Sequence, residues 1–268
     1  MTFSVSAPTN NTGALLNNGT EVLSVSSNNY IGIGTNSPIY DFHVKGTDGD
    51  TRIRLEDTTG YTSLDMVCAN GSLNVINFGD ASDINVGRID YDHSLNEFTF
   101  KTNDVEQMRI DSNGYVTKPS QVSFFARGVA TTAWSSYTAD GDPLIFDAVI
   151  SNQGNAYNSS TGTFTAPVTG TYIFNVHLRF DNLRDTTHDY YHPFWKVNGS
   201  ANWNGAILRL ITSAPTTKQY MSLHESINLY LAENDTVQFA HGDSNSITNA
   251  NTTAFNGSQC RFSGYLLG

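Results

Sequence analysis

The chain has 268 residues, of which 15 % are charged, and a net charge of −11; with no basic surplus to hold phosphates, it is a poor match for nucleic acid or an anionic membrane face. Asn, Ser, Thr and Gly take the place of charge, which favours turns and strands over helices. No apolar run approaches the ~20 residues of a spanning helix, and Met1–Pro8 lacks the basic start and apolar stretch of a signal peptide, so the product is expected to stay in the cytoplasm where it is made until assembly or lysis.

Residues 1–20 are polar, with Asn10, Asn11, Thr12 and Gly13 and then Asn17, Asn18 and Gly19. They read as an extended or poorly ordered arm, either a simple tail or an anchor that orders on docking to a larger assembly. Residues 21–117 are a string of short β segments: 22–25, 30–34, 42–44, 52–55, 64–67, 73–76, 84–86, 88–91 and 97–100, with Met108 after them. Most alternate apolar with polar side chains and are separated by Gly, Asn or Asp. An internal repeat runs in register through them. Leu23-Ser-Val-Ser-Ser-Asn-Asn-Tyr-Ile31 matches Met108-Arg-Ile-Asp-Ser-Asn-Gly-Tyr-Val116 without a gap, the kind of self-similar strand–turn unit from which fibrous β architectures are built.

Each of these strands offers only two or three apolar side chains to a core. One chain alone would leave many strand edges unpaired, whereas winding with sister chains around a threefold axis removes edges and creates a shared core. A monomeric sandwich is the alternative. Lys118, Pro119 and Ser120 mark a junction, because Pro removes a ladder donor and restricts its neighbour.

Residues 118–268 begin with the strand-like Val122–Ala126. Farther on, Pro167 and Gly170 bracket a tight turn at Val168 and Thr169, and a long strand follows. Tyr172, Phe174, Val176 and Leu178 recur every second residue and share one face with Phe164, while Thr171, Asn175, His177 and Arg179 face the other way. Cys68 and Cys260 are the only cysteines. Far apart in sequence, they are expected to be two free, mostly buried thiols rather than a metal or redox pair, with a disulfide as the alternative.

Two resemblances rest on these residues. Phe146, Asn152–Tyr157, Gly162–Phe164, Ala166, Pro167, Gly170, Tyr172–Phe174, Leu229–Leu231, Asp235, Val237 and Phe262–Leu267 together resemble the globular head of the complement first-component q type. That head is a jelly roll related to tumour-necrosis-factor domains, and the resemblance spans roughly 120–268. Asn234 stands where that family usually has Gly, and Asn also tolerates a left-handed turn conformation. Tyr30–Pro38 with Phe42–Val44, Gly79–Tyr91 and Met108–Gly114 resemble phage tail-fibre shafts, in which three chains wind into one. The first resemblance implies a head that packs as a compact trimer, and the second implies a trimeric shaft.

Candidate chemistry is sparse. There is no nucleophile elbow, no zinc-protease helix and no phosphate loop, and Asp140 and Asp142 read as solvated turn residues rather than paired glycosidase carboxylates. Asp181, Asp185, His188, Asp189 and His192 crowd one stretch, where Asp181, Asp185 and Asp189 are oxygen donors suited to Ca²⁺, against the plainer reading of a polar loop. Tyr190, Tyr191 and Trp203, set among polar residues, suit a carbohydrate or protein surface. Phe194, Trp195 and Val197 compete as a core strand.

The sequence therefore predicts an all-β, non-enzymatic homotrimer: a virion fibre with an arm (1–20) that contacts other virion proteins, an intertwined β shaft (21–117) and a jelly-roll head (118–268) that binds a host-surface glycan or protein. A capsid-decorating fibre and a glycan depolymerase are the alternatives.

Overall fold

The computed structural model describes residues 13–17, 20–46, 49–128, 141–181, 190–204, 208–209, 220–240, 242 and 259–268. The described residues form strands, turns and loops, with no helix among them. The chain divides into two compact units, 1–66 and 67–268; the junction expected at Lys118–Ser120 falls inside the second.

In the first unit, β1 (Gly13–Asn17), β2 (Thr20–Val25), β3 (Ile31–Ile33) and β4 (Phe42–Val44) form one sheet in that order. The first three are antiparallel, and β4 joins β3 in parallel. Gly13–Asn17, which composition alone assigns to the arm, is thus a paired strand. The strand expected at 52–55 does not form. Ile53, Leu55, Tyr61 and Leu64 are all exposed, Tyr61 by 90 %. A period-two pattern supplies one sticky face, but a strand also needs a neighbour for its N–H and C=O groups, and 49–66 has none among the described residues.

The second unit opens with a meander of β5 (Leu73–Phe78), β6 (Gly87–Asp92), β7 (Glu97–Thr102), β8 (Val105–Ile110) and β9 (Val116–Thr117), antiparallel throughout. The strand expected at 64–67 is likewise absent, and that expected at 84–86 is a turn: the Asp80 carboxylate accepts the Ser82 and Asp83 N–H groups, and Val86 C=O accepts Asp104 N–H. The sequence repeat is also a structural one. In β2–β3, Ser26 N–H donates to Tyr30 C=O at 2.9 Å and Asn29 N–H to Ser26 C=O at 3.0 Å. At the matching positions of β8–β9, Asp111 N–H donates to Tyr115 C=O at 3.1 Å and Gly114 N–H to Asp111 C=O at 2.9 Å. Val25 pairs Ile31 as Ile110 pairs Val116. Asn29 and Gly114 hold the same left-handed position, at φ 64° and 82°, which Gly and Asn adopt most readily.

The head is a sandwich of β10 (Ser123–Arg127), β11 (Ala148–Gln153), β12 (Tyr157–Asn158), β13 (Thr163–Thr165), β14 (Gly170–Asp181), β15 (Tyr190–Tyr191), β16 (Phe194–Val197), β17 (Ser200–Asn204), β18 (Leu208–Arg209), β19 (Tyr220–Leu231), β20 (Thr236–Ala240) and β21 (Arg261–Leu266). One sheet runs β11-β10-β21-β14-β19 and the other β12-β13-β20-β16-β17, while β15 and β18 pair separately. Phe164, Tyr172, Phe174, Val176 and Leu178 are all buried as their alternation requires, together with Phe124, Tyr157, Phe239 and Phe262. Full burial of each such side chain is worth roughly 1.5–3 kcal/mol. Phe194 and Trp195 belong to this core, so the core-strand reading holds. Gly264 is where two rings close over a strand: a Cβ there would lie 2.6 Å from Phe174 and 2.8 Å from Phe124. Asn234 takes φ 70°, the left-handed turn expected of it, and Asp235 beside it accepts the Ala232 N–H and the Asn198 amide. Cys68 is half-buried and Cys260 is buried, neither in a disulfide among the described residues, and Cys260 Sγ accepts the Arg179 N–H at 3.4 Å.

Candidate functional site: two faces of single sheets

Apart from a bulge between Phe100 and Lys101, the meander strands pair in regular register, so the two faces differ. Cross-strand register places Ile76, Ile89, Phe100 and Met108 in one row, and Tyr91, Phe98, Ile110 and Val116 in the next. Aromatic–aliphatic rows of this kind are the unit of sheet stabilisation. Tyr91 meets Phe98 edge-on at 4.7 Å between ring centroids. Yet Ile76 stays 45 % exposed, Phe98 43 % and Val116 57 %.

The opposite face is ionic. Asp90 is buried; it receives two hydrogen bonds from Arg88, at 2.7 and 2.6 Å, and an ion pair from Lys101 at 3.0 Å. The Arg88 hydrogen bonds hold its carboxyl below the usual range against the opposing effect of burial, with Lys101 adding to them. Arg109 bridges Glu97 at 2.9 Å and Glu106 at 2.6 Å, and its hydrogen bonds hold the Glu106 carboxyl down as well. The polar side thus neutralises itself within one chain, while the apolar side does not bury itself.

A second such face lies outside the larger sheet of the head. Ile150, Tyr230 and Tyr265 are exposed on it. A shallow depression of about 300 Å³ is lined by Phe125, Asn175, His177, His224, Ser226, Arg261 and Ser263, among others. A second, of about 390 Å³, shares Phe125 and Arg261 with the first and adds Arg127 and Ile150. The His177 and His224 rings sit with nitrogens 2.8 Å apart, so one ring donates to the other. Burial, then the neighbouring His224, Arg261 and Arg179, push the His177 imidazolium toward losing its proton. The Ser226 hydroxyl donates to Asn175 Oδ1 at 2.9 Å.

Of the residues singled out in the sequence, those described are placed as follows. Tyr190 and Tyr191 form β15, opposite Arg209 and Leu208. Trp203 pairs Trp195 across β16 and β17. Asp181 ends β14 opposite Tyr220. Asp185, His188 and Asp189 lie outside the described residues, and His192 N–H donates to Gly242 C=O. Among the described residues no three His, Cys, Asp or Glu side chains group as metal ligands. The basic side chains on the head sheet were missed because they come from four strands. Only the alternation of His177 with Arg179 signalled them, and the partners in register were not legible.

Comparison with known proteins bears on the head. The profile of the C1q domain family matches residues 124–267. Among solved structures, the globular domain of zebrafish complement 1qA protein is similar at 16 % identity, over 55 % of this chain and 98 % of that one, with a TM-score of 0.38.

Proposed function

As the chain belongs to the C1q domain family through residues 124–267, we propose that it is a non-enzymatic binding protein: a homotrimeric virion fibre whose head attaches to a host-surface glycan or protein. The observation that carries the trimer is the apolar face of the meander. Two rows of Ile, Met, Phe, Tyr and Val remain half-exposed while the reverse face is internally ion-paired. A contiguous apolar face of this kind marks an interaction surface, and two sister copies are the natural cover. Three copies placed around an axis would bury the rows against one another and give residues 49–66 the strand neighbours they lack among the described residues.

The repeated hairpin and the resemblance of 30–38 with 42–44, 79–91 and 108–114 to tail-fibre shafts support placement on a virion, with the arm as its contact to other virion proteins. Three heads multiply a weak single-site affinity, and Tyr190, Tyr191 and Trp203 are the side chains assigned to contact with the receptor.

Sedimentation of the purified full chain tests the trimer: a mass three times the 29.3 kDa of one chain is expected, and a stable monomer overturns it. Fluorescently labelled protein is expected to decorate host cells, with binding weakened at least tenfold by Trp203→Ala; undiminished binding by that variant removes Trp203 from the site.

A further inference from the structure

The four basic side chains on the head sheet stand in one line. Arg127 pairs Arg261, Arg261 pairs His177, and His177 pairs His224, across the adjacent strands β10, β21, β14 and β19. At about 4.8 Å per strand the line is roughly 14 Å long. All four sit at outward positions: Arg127 follows the buried Ala126, Arg261 lies between the buried Cys260 and Phe262, His177 between the buried Val176 and Leu178, and His224 follows the buried Leu223. Like charges directly opposite in a sheet destabilise it, and this chain carries a net charge of −11, so a run of cations without an acid is unexpected.

Strand β10 supplies Arg127, β21 Arg261, β14 His177, Arg179 and, at its far end, Asp181, and β19 His224. The nearest acid is Glu225, next along β19, which pairs Val176, outside the row itself, and contributes to the lining of the first depression. The charged groups acting on His177 are all bases, and Arg127 and Arg261 have no carboxylate partner among the described residues. Neutral donors flank the line: the amide of Asn175, whose oxygen already accepts from Ser226, and the hydroxyl of Ser263. The two depressions that meet at Phe125 and Arg261 are far larger than the ~30 Å³ of one water.

We propose that this row is an anion site that takes a multiply charged oxyanion, phosphate or sulfate, between the Arg261 guanidinium and the His177–His224 pair, with Arg127 as the outer arm. Guanidinium groups recognise such oxygens in a bidentate fork. A proton taken up by the His177 ring makes it an additional donor. Because burial and the neighbouring bases hold that ring below the ordinary histidine range, oxyanion affinity rises as pH falls below that range. The oxyanion is either free in solution or borne on a glycan, and both offer the same oxygens to the row.

The test is thermal melting of the intact protein in chloride buffer, titrated with sodium phosphate or sodium sulfate at fixed ionic strength. A saturable rise in Tm of roughly 5 °C with either oxyanion at millimolar concentration is expected, and it should be larger at pH 5.5 than at pH 8. Arg261→Gln should abolish the rise, and should itself melt higher in chloride because a like charge has left the row. Arg261→Lys should keep a reduced rise. If chloride matches phosphate, or if the rise survives in Arg261→Gln, the site does not exist. A short sulfated oligosaccharide that reproduces the shift identifies a glycan-borne group on an open face; a shift confined to the inorganic ions identifies a free ion on a face closed to larger ligands. Light scattering on the same samples reads the mass, so a monomer would count against the trimer without touching the anion site.

Discussion

The head packs two five-stranded antiparallel sheets face to face, the meander is one such sheet, and their alternating side chains end differently. In the head, Phe174 and Phe262 on one sheet face Phe164, Trp195 and Phe239 on the other, and all are buried. In the meander, Ile76, Phe98 and Val116 on an equally apolar face remain largely exposed. The lesson is that alternation specifies which side of a strand wants cover, and nothing in it says whether that cover comes from the same chain.

That difference can be broken deliberately. The largest effect is expected from Phe100→Asp. A charge placed in the row shared with Ile76, Ile89 and Met108 cannot be buried between copies without a penalty of several kcal/mol per subunit. The sedimenting mass should fall to that of one chain while the near-ultraviolet dichroism of the head is kept; a trimer that survives would mean the face is not shared. Phe174→Ala inverts the experiment. It should remove about 3–5 kcal/mol from the head and lower its melting transition, while the assembled mass stays unchanged.

A smaller loss, about 1–3 kcal/mol, is expected for Asp90→Asn, because the partners Arg88 and Lys101 are about a quarter exposed and solvent can recover part of their charge. Its pH dependence has a definite sign. The Asp90 carboxyl is held below its ordinary value, so its contribution is present above about pH 4 and lost as pH falls through the lowered native value. The melting curves of Asp90→Asn and the parent should therefore converge below about pH 4. The smallest effect sharpens the repeat: Asn29→Ala and Gly114→Ala should each cost about 1 kcal/mol in denaturant melts, whereas Asn29→Gly should be nearly neutral. Unequal costs would show that the two hairpins are alike only in outline.

Much of this was legible in the residues. The alternation from Tyr172 to Leu178 placed a long strand and its core face, Pro167 and Gly170 placed its turn, Asn234 marked a left-handed bend, and the match between 23–31 and 108–116 became a shared hydrogen-bond pattern. The failures have one cause. Residues 52–55, 64–67 and 84–86 look like strands, and 13–17 looks like a tail, because side-chain pattern carries no information about whether a neighbouring backbone is at hand. The anion row was hidden for the same reason: Arg127, His177, His224 and Arg261 are spread over more than 130 positions and meet only when four strands take up their register.

What the amino-acid order settled by itself is local: a β protein without helical stripes, the positions of its bends, the inward side of each strand and a family signature in its last 150 or so residues. Those follow from backbone sterics and from period-two burial, which act over a few residues. Only the tertiary arrangement decided which sheet covers which, left the apolar side of the meander open, and lined up four bases on one strand row, because hydrogen-bond register between distant segments is a property of their meeting.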